Sequence, residues 1–347
     1  METGFAELFT AVLSSRKFKK FFDGVDFTFP NGEKITLKVA YHRKGTRLAG
    51  YQFSKFSFIT KVVTNQGIEG YGFGEGENEL LTFQKSIAEA VERAVYLSLK
   101  PHCDLMSSNG WSAHLTKKKA EKAALNELLE RDAVLVHWLT ETPFHEIDPA
   151  TFPEWLTTWC ENELTKTGEF NRLRVLICHA GHVPTVQTIL MNKDGHAFIS
   201  HGASKSIDTA IYRALSETCR IATAANYDTL ATDFDNESSI LTPWDHALAY
   251  RSERTIPAWV FGKMISYKDG KMLTADKYRN ITFSNFAPKF QTFTCGDLFV
   301  SGCESNKIQN LFFGRGDFAL KNGLINLERL SEVNSVFVLN PLPHCVP

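Results

Sequence analysis

Apolar residues recur at helical spacing in three stretches of the chain. The first runs from about residue 80 to 98 and carries Ser86-Ile-Ala-Glu89-Ala-Val-Glu92-Arg93. The second covers about 115–140 and carries Asn126-Glu127-Leu-Leu-Glu130-Arg131-Asp132. The third, about 205–224, contains Ala210-Ile-Tyr-Arg213-Ala-Leu-Ser-Glu217. Residues three apart share a helix face, so each of the first two helices presents a pair of carboxylates. Stepping along the second helix at about 100° per residue puts Glu127 between Val134 and Ala120, and Glu130 beside Ala123. These glutamates share a face with small residues, which suits a surface that something else approaches.

Strand spacing appears elsewhere. Val25-Asp-Phe-Thr-Phe alternates up to a turn at Pro30-Asn-Gly32, and Ile35–Tyr41 and Phe56–Val63 are β-prone. Leu173–Ile177, Val186–Leu190, Ala197–Ser200 and Ser335–Leu339 read as further strands. Gly70-Tyr-Gly72-Phe-Gly74-Glu-Gly76 reads as a glycine loop, able to approach a ligand closely or take positive φ. It leads into the first helix. The polar loop Ser108-Asn109-Gly110 precedes the second, and His201-Gly202-Ala203 the third. A strand, a glycine-containing loop and a helix thus recur, and the pattern predicts helix starts gathered around one centre. Residues 1–20 read as a short amphipathic helix with a solvated basic end, and Asp233–Glu237 as an acidic surface loop. Residues 225–295 give no clear assignment.

The chain has 347 residues and a net charge of −1, so no global charge points to nucleic acid or an anionic membrane. No apolar run is long enough to span a bilayer, and no secretory signal opens the chain, so a cytoplasmic protein is expected. Seven cysteines are scattered without a Cys-x-x-Cys pair, which argues against a disulfide framework or a zinc ribbon. No low-complexity stretch or linker divides the sequence. One domain over 1–347 is expected, with a β-rich part (1–69), a core (70–224) and a C-terminal part (225–347) ending in a proline-rich tail.

An ordinary amphipathic helix accounts for either glutamate pair taken alone. Two copies brought together would repel unless a positive charge sat between them. A hard divalent cation such as Mg2+, which takes oxygen ligands and often bridges nucleotide phosphates, is the natural candidate. Glu89, Glu92, Glu127 and Glu130 are its expected ligands.

Taken together, these motifs resemble the YcaO family. The matching residues are Gly74-Glu75-Gly76, Glu89/Glu92/Arg93, Ser108-Asn109-Gly110, Glu127/Glu130/Arg131, and Gly202-Ala203 with Arg213/Glu217. Their order and spacing agree over about residues 70–220, and Pro343-His-Cys345-Val-Pro347 resembles the family's proline-rich tail with its middle proline replaced. The resemblance implies a mixed α/β fold of repeated sheet-plus-helix units around a central nucleotide site. It implies ATP and Mg2+, with ATP-driven activation of a peptide amide oxygen. A Cys, Ser or Thr side chain adds to the amide carbon, the resulting oxygen is phosphorylated, phosphate leaves, and an azoline remains. With sulfide as nucleophile the product is a thioamide; the proline tail favours the azoline. Gly74, Gly76, Ser86, Arg93, Asn109 and Arg131 are then expected at the cofactor, with Arg213 and the tail residue Pro347 in catalysis. The implied partners are a ribosomal precursor peptide and a separate leader-peptide-binding protein. A flavin-dependent dehydrogenase downstream and a homodimer are compatible with the pattern; nucleic acid and membrane are not among the partners.

The sequence departs from the family pattern at four places. Glu75 stands for the lysine of the glycine loop, Lys85 for the serine, His114-Leu115 for a Gly-Asn pair, and Lys119 for a glutamate early in the second helix. A non-catalytic scaffold or peptide-holding subunit of a modification complex is therefore the competing expectation.

Overall fold

The structure is a computed structural model. It describes residues 25–28, 34–42, 47–48, 51–52, 56–99, 109–166, 170–224, 256–279, 283–295, 298–312 and 316–340. The helix expected over 1–20, the acidic stretch Asp233–Glu237 and the tail 341–347 lie outside these residues.

Strands β1 (Val25–Thr28), β2 (Lys34–His42), β5 (Phe56–Thr64) and β6 (Glu69–Gly76) form an antiparallel sheet in the order β1-β2-β5-β6, while β3 (Arg47–Leu48) and β4 (Tyr51–Gln52) pair with each other. The glycine segment is therefore a strand and not a loop, and none of its glycines has positive φ. Helix α1 (Glu79–Leu99), capped by the Asn78 side chain on the Leu81 N–H, folds back over it. A Cβ at Gly70 would stand 2.2 Å from the Ala90 carbonyl, at Gly72 2.0 Å from that of Ser86, and at Gly74 2.0 Å from that of Thr82. Glycine at every second position thus clears one face of the strand so that the helix lies directly on its backbone. The alternation that looked like loop flexibility is a packing groove.

The second unit joins β7 (Trp111–His114) to helix α2 (Lys117–Leu139). Gly110, at φ +78°, makes the turn into β7, where a Cβ would lie 2.5 Å from Leu128. The third unit runs β8 (Phe144–Ile147), α3 (Glu154–Cys160), β9 (Phe170–Ile177), β10 (Thr185–Asn192), β11 (Ala197–Ala203) and α4 (Ile207–Ala224). It is followed by β12 (Phe261–Ile265), α5 (Tyr267–Arg279), β13 (Lys289–Cys295), β14 (Leu298–Glu304), α6 (Gly316–Lys321) and α7 (Leu327–Val333). The large sheet is ordered β11-β10-β9-β8-β12, with β12 parallel to β8, and β13-β14-β7 form a small antiparallel sheet.

Strands β10 and β11 are buried at every position because both faces of the large sheet are covered. Ile189, Met191 and Ile199 pack with Val134 and Trp138 of α2 on one face; Val186, Leu190 and Phe198 pack with Ile211 and Leu215 of α4 on the other. Helix α7 is tied to α2 by a fully buried pair. Arg329 Nη2 lies 2.9 Å from Asp132 Oδ2, and the Gln309 N–H donates to Oδ1 at 2.8 Å.

Ser335–Leu339, expected as a final strand, opens with a bend at Ser335–Val336 and pairs with no strand among the described residues. Val336 and Val338 are exposed, while Phe337 and Leu339 pack on the α2 core. Alternating hydrophobicity produced that expectation, yet a strand also needs a neighbouring edge. Asn340 instead anchors to the end of α2, donating to the Leu139 and Trp138 carbonyls at 3.0 and 3.1 Å. Among the described residues no helix is long and apolar enough to cross a membrane.

Candidate functional site

The three sheet-plus-helix units bring the glutamate pairs together. From α1, Glu89 pairs with Arg93 at 2.6 Å and accepts the Phe73 N–H of β6 at 2.7 Å. Its neighbour Glu92 accepts a backbone N–H from Ala113 of β7. Burial, with the charges of Glu127 and Glu89 added, pushes its carboxyl well above the usual range. From α2, Glu127 lies 3.8 Å from Arg131. Burial raises its pKa to about 7; Arg131 opposes the shift and Glu130 and Glu89 reinforce it.

Glu130 is the best-held of the four. It meets Arg131 at 3.0 Å, accepts the Ala203 N–H of β11 at 2.9 Å, and stands 3.5 Å from His201 Nε2. Arg213 of α4 donates to the Ala203 carbonyl at 2.8 Å, so a single residue of β11 joins Glu130 to Arg213. Farther along α4, Arg220 pairs with Glu217 and stands over the Phe73 ring at 5.6 Å. Burial opposes its charge, but Glu217, Glu89 and Glu75 outweigh that and raise its pKa. Arg220 was not singled out from the sequence. The signal was its i, i+3 spacing from Glu217, which many surface helices share. Glu75 thus has a cation beside it, supplied by α4 instead of by the glycine segment itself.

Other expected site residues sit elsewhere. Ser86 is fully buried and bonds to Thr60 of β5 and to the Gly72 carbonyl, clamping α1 on its sheet. Gly74 and Gly76 lie beneath the first turns of α1, against Thr82 and Ser86. Asn109 lines a separate cleft of about 380 Å3 with Tyr96, Trp111 and Leu128, and none of the four glutamates lines it. Pro347 lies outside the described residues. Of the departures, Lys85 and Lys119 are exposed, and Leu115 is 45% exposed. Burial, with Lys119 adding to it, lowers the His114 pKa.

The sequence model of the family described as YcaO cyclodehydratase, ATP- and Mg2+-binding, matches residues 87–281. The chain belongs to the YcaO family. That match begins within α1 and takes in α2, β7 to β12 and α4; it includes all four glutamates and leaves out β6. No curated protein sequence matches the chain. Among solved structures, it is similar to YcaO from Methanopyrus kandleri bound with AMPPCP and Mg2+, with a TM-score of 0.53 and 13% identity over 92% of this chain and 93% of that one. It is also similar to a heterocyclase in complex with substrate and cofactor, at a TM-score of 0.51 and 15% identity, covering 83% of this chain and 52% of the other. This YcaO chain therefore spans about half the length of that heterocyclase. A third likeness, TM-score 0.52 and 12% identity over 79% of this chain and 88% of the other, is to the E. coli microcin synthetase McbBCD complex with pro-MccB17 bound. At these identities the likeness is one of fold, and it agrees with the mixed sheet-and-helix units found here.

Two helices bring oxygen donors of the type a hard divalent cation takes to a half-buried surface, and Glu92 and Glu127 are held at a disadvantage as anions. Among the described residues no three His, Cys, Asp or Glu side chains converge closely enough to grip one ion together. Arg93 and Arg131 occupy the carboxylates instead.

Proposed function

We propose that this chain is an ATP- and Mg2+-dependent cyclodehydratase that converts Cys, Ser or Thr residues of a ribosomally made precursor peptide to azolines. The observation that carries this reading is the convergence of Glu89, Glu92, Glu127 and Glu130 with Arg93, Arg131, Arg213 and Arg220 at the meeting point of three sheet-plus-helix units. Phosphoryl transfer asks mainly for positioning and charge neutralisation, and this constellation offers both signs of charge on rigid elements.

Glu89, Glu92, Glu127 and Glu130 would hold Mg2+, which would supply charge neutralisation for phosphoryl transfer. Arg93 and Arg131, paired with these glutamates, would supply donors for phosphate oxygens. Arg213, fixed on the Ala203 carbonyl, stands beside Glu130 with further donors for an anionic oxygen. Gly74, Gly76 and Ser86 contribute by seating α1 on its sheet, while Asn109 lines the separate cleft.

The tail has the length to take part. Asn340 is anchored at Leu139, and Glu130 lies nine residues back along α2, about 14 Å by helical rise. Residues 341–347 span up to about 23–25 Å when extended. We assign Pro347 a part in catalysis on the likeness of Pro343–Pro347 to the family's proline-rich tail. The partners on this reading are a precursor peptide, a separate leader-peptide-binding protein and, after ring formation, a flavin-dependent dehydrogenase.

Calorimetric titration of ATP with and without Mg2+ tests the reading without knowledge of the peptide. Mg2+-dependent binding that Glu127→Gln abolishes is the expected result; no binding to a folded protein overturns it. One observation favours a second reading, a non-catalytic peptide-holding subunit: Lys85 and Lys119 place exposed ammonium groups where the family pattern has serine and glutamate. Under that reading, precursor modification by a partner enzyme persists in the Glu127→Gln variant.

A further inference from the structure

Strand β6 is an edge strand among the described residues, and its hydrogen-bonding pattern is set by the Glu89 contact. In an antiparallel ladder, alternate residues turn their N–H and C=O groups toward the partner strand. The Phe73 N–H goes to Glu89 and not to Ile59 opposite, so Phe73 and Tyr71 are the outward-turned residues, while Gly70, Gly72 and Gly74 bond to β5. The side chains of Tyr71 and Phe73 lie on the face away from α1 and are 41% and 37% exposed. The edge carries neither proline nor a bulge, the usual blocks to strand addition. Among the described residues a carboxylate from the candidate metal site caps the Phe73 N–H, and Arg220 of α4 stands over the Phe73 ring.

Glu89 Oε2 sits 2.7 Å from the Phe73 nitrogen, where the carbonyl oxygen of a neighbouring strand would sit. We infer that the open edge of β6 is a docking rail for an extended peptide, which pairs with Tyr71 and Phe73 as an added strand once Glu89 releases the Phe73 N–H. This rests on the reading of the site as one that handles a peptide. Main-chain pairing supplies register and tolerates sequence. Residues on one side of the added strand meet Tyr71 and Phe73; those on the other meet the Glu89 and Arg93 side of α1, next to the carboxylates. A cation that draws Glu89 off the Phe73 N–H would open the rail, and nucleotide loading would then precede peptide docking.

Hydrogen exchange of residues 69–76 tests the rail without activity. A short synthetic peptide alternating Val and Thr around a central Cys serves as probe, with its backbone N-methylated counterpart as control. In Glu89→Ala the Phe73 N–H is free without any metal. The probe should slow exchange at Tyr71 and Phe73 in this variant, more than in wild type, and the N-methylated peptide should not. Added to Glu89→Ala, Phe73→Ala removes the ring and keeps the N–H, whereas Phe73→Pro removes both and should weaken probe binding about fivefold to tenfold beyond the alanine variant, the worth of one net hydrogen bond. Proline is tolerated on edge strands, and thermal melts check the fold. Failure of the probe to bind Glu89→Ala, or equal effects of proline and alanine, overturns the rail. In wild type, Mg2+ with a non-hydrolysable ATP analogue should speed exchange at Phe73. If that ligand does not bind while the probe still protects β6 in Glu89→Ala, the nucleotide reading fails and the rail stands.

Discussion

Replacing Glu127 by glutamine should make the metal-free protein more stable while removing its capacity to bind Mg2+ with ATP. Burial, reinforced by Glu130 and Glu89, lifts the Glu127 pKa from an ordinary 4.5 to about 7. At about 1.4 kcal/mol per tenfold, that gap corresponds to ~3 kcal/mol between folded and unfolded chains. The side chain keeps 32% of its exposure, so solvent screening reduces this to ~1–2 kcal/mol. The sign follows from proton binding. The folded state holds this proton more tightly, so stability falls as pH rises from 4.5 to 7 and the full penalty persists above 7. Below 4.5 both states are protonated and the penalty vanishes. Glutamine removes the charge, so the variant should melt about 2–3 °C above wild type at pH 8 in a chelator, and the advantage should disappear near pH 4. Calorimetric melts at the two pH values measure it, and Mg2+ with ATP should then raise the wild-type midpoint only. A variant less stable than wild type at pH 8, or a difference that does not change with pH, would refute the argument that the cluster is held under electrostatic strain.

Gly72→Ala forces a Cβ to 2.0 Å from the Ser86 carbonyl, and urea denaturation should show a loss of at least ~2–3 kcal/mol. Gly67→Ala, in open space but at φ +80°, should cost only ~1–2 kcal/mol. Arg329→Leu strands the buried Asp132 carboxylate and should cost ~3–5 kcal/mol, largely recovered on adding Asp132→Leu. Burial, with Glu161 beside one and Glu304 and Glu121 near the other, pushes the Cys160 and Cys303 thiols up to about 12, so native-state alkylation at pH 8 followed by mass mapping should leave both unmodified. Deleting Cys345–Pro347 should abolish ring formation without moving the melting point; full activity in a reconstituted assay would remove Pro347 from the mechanism.

Local periodicity was enough to find α1, α2 and α4 within a few residues of their ends, and β9, β10 and β11 likewise, because each buries a full face against a neighbour and so keeps a clean apolar pattern. The paired glutamates were legible for the same reason: an i, i+3 spacing fixes a shared helix face before any folding is considered. Strand β6 was not legible as a strand, since its glycines record the approach of α1, a partner lying over the strand and not along it. Strand β13 and α5 fell in a region whose largely exposed positions carry a weak pattern. The Ser335–Leu339 segment had a strand's alternation but, among the described residues, joins no sheet edge. What the sequence by itself determined is which carboxylates and arginines share a face, because that depends on backbone geometry within one helix. Only the tertiary structure decided that Glu89 caps the Phe73 N–H, that Ala203 links Glu130 to Arg213, and that Arg220 supplies the charge beside Glu75. Each of these contacts joins residues from different elements, at distances set by packing between sheets and not by spacing along the chain.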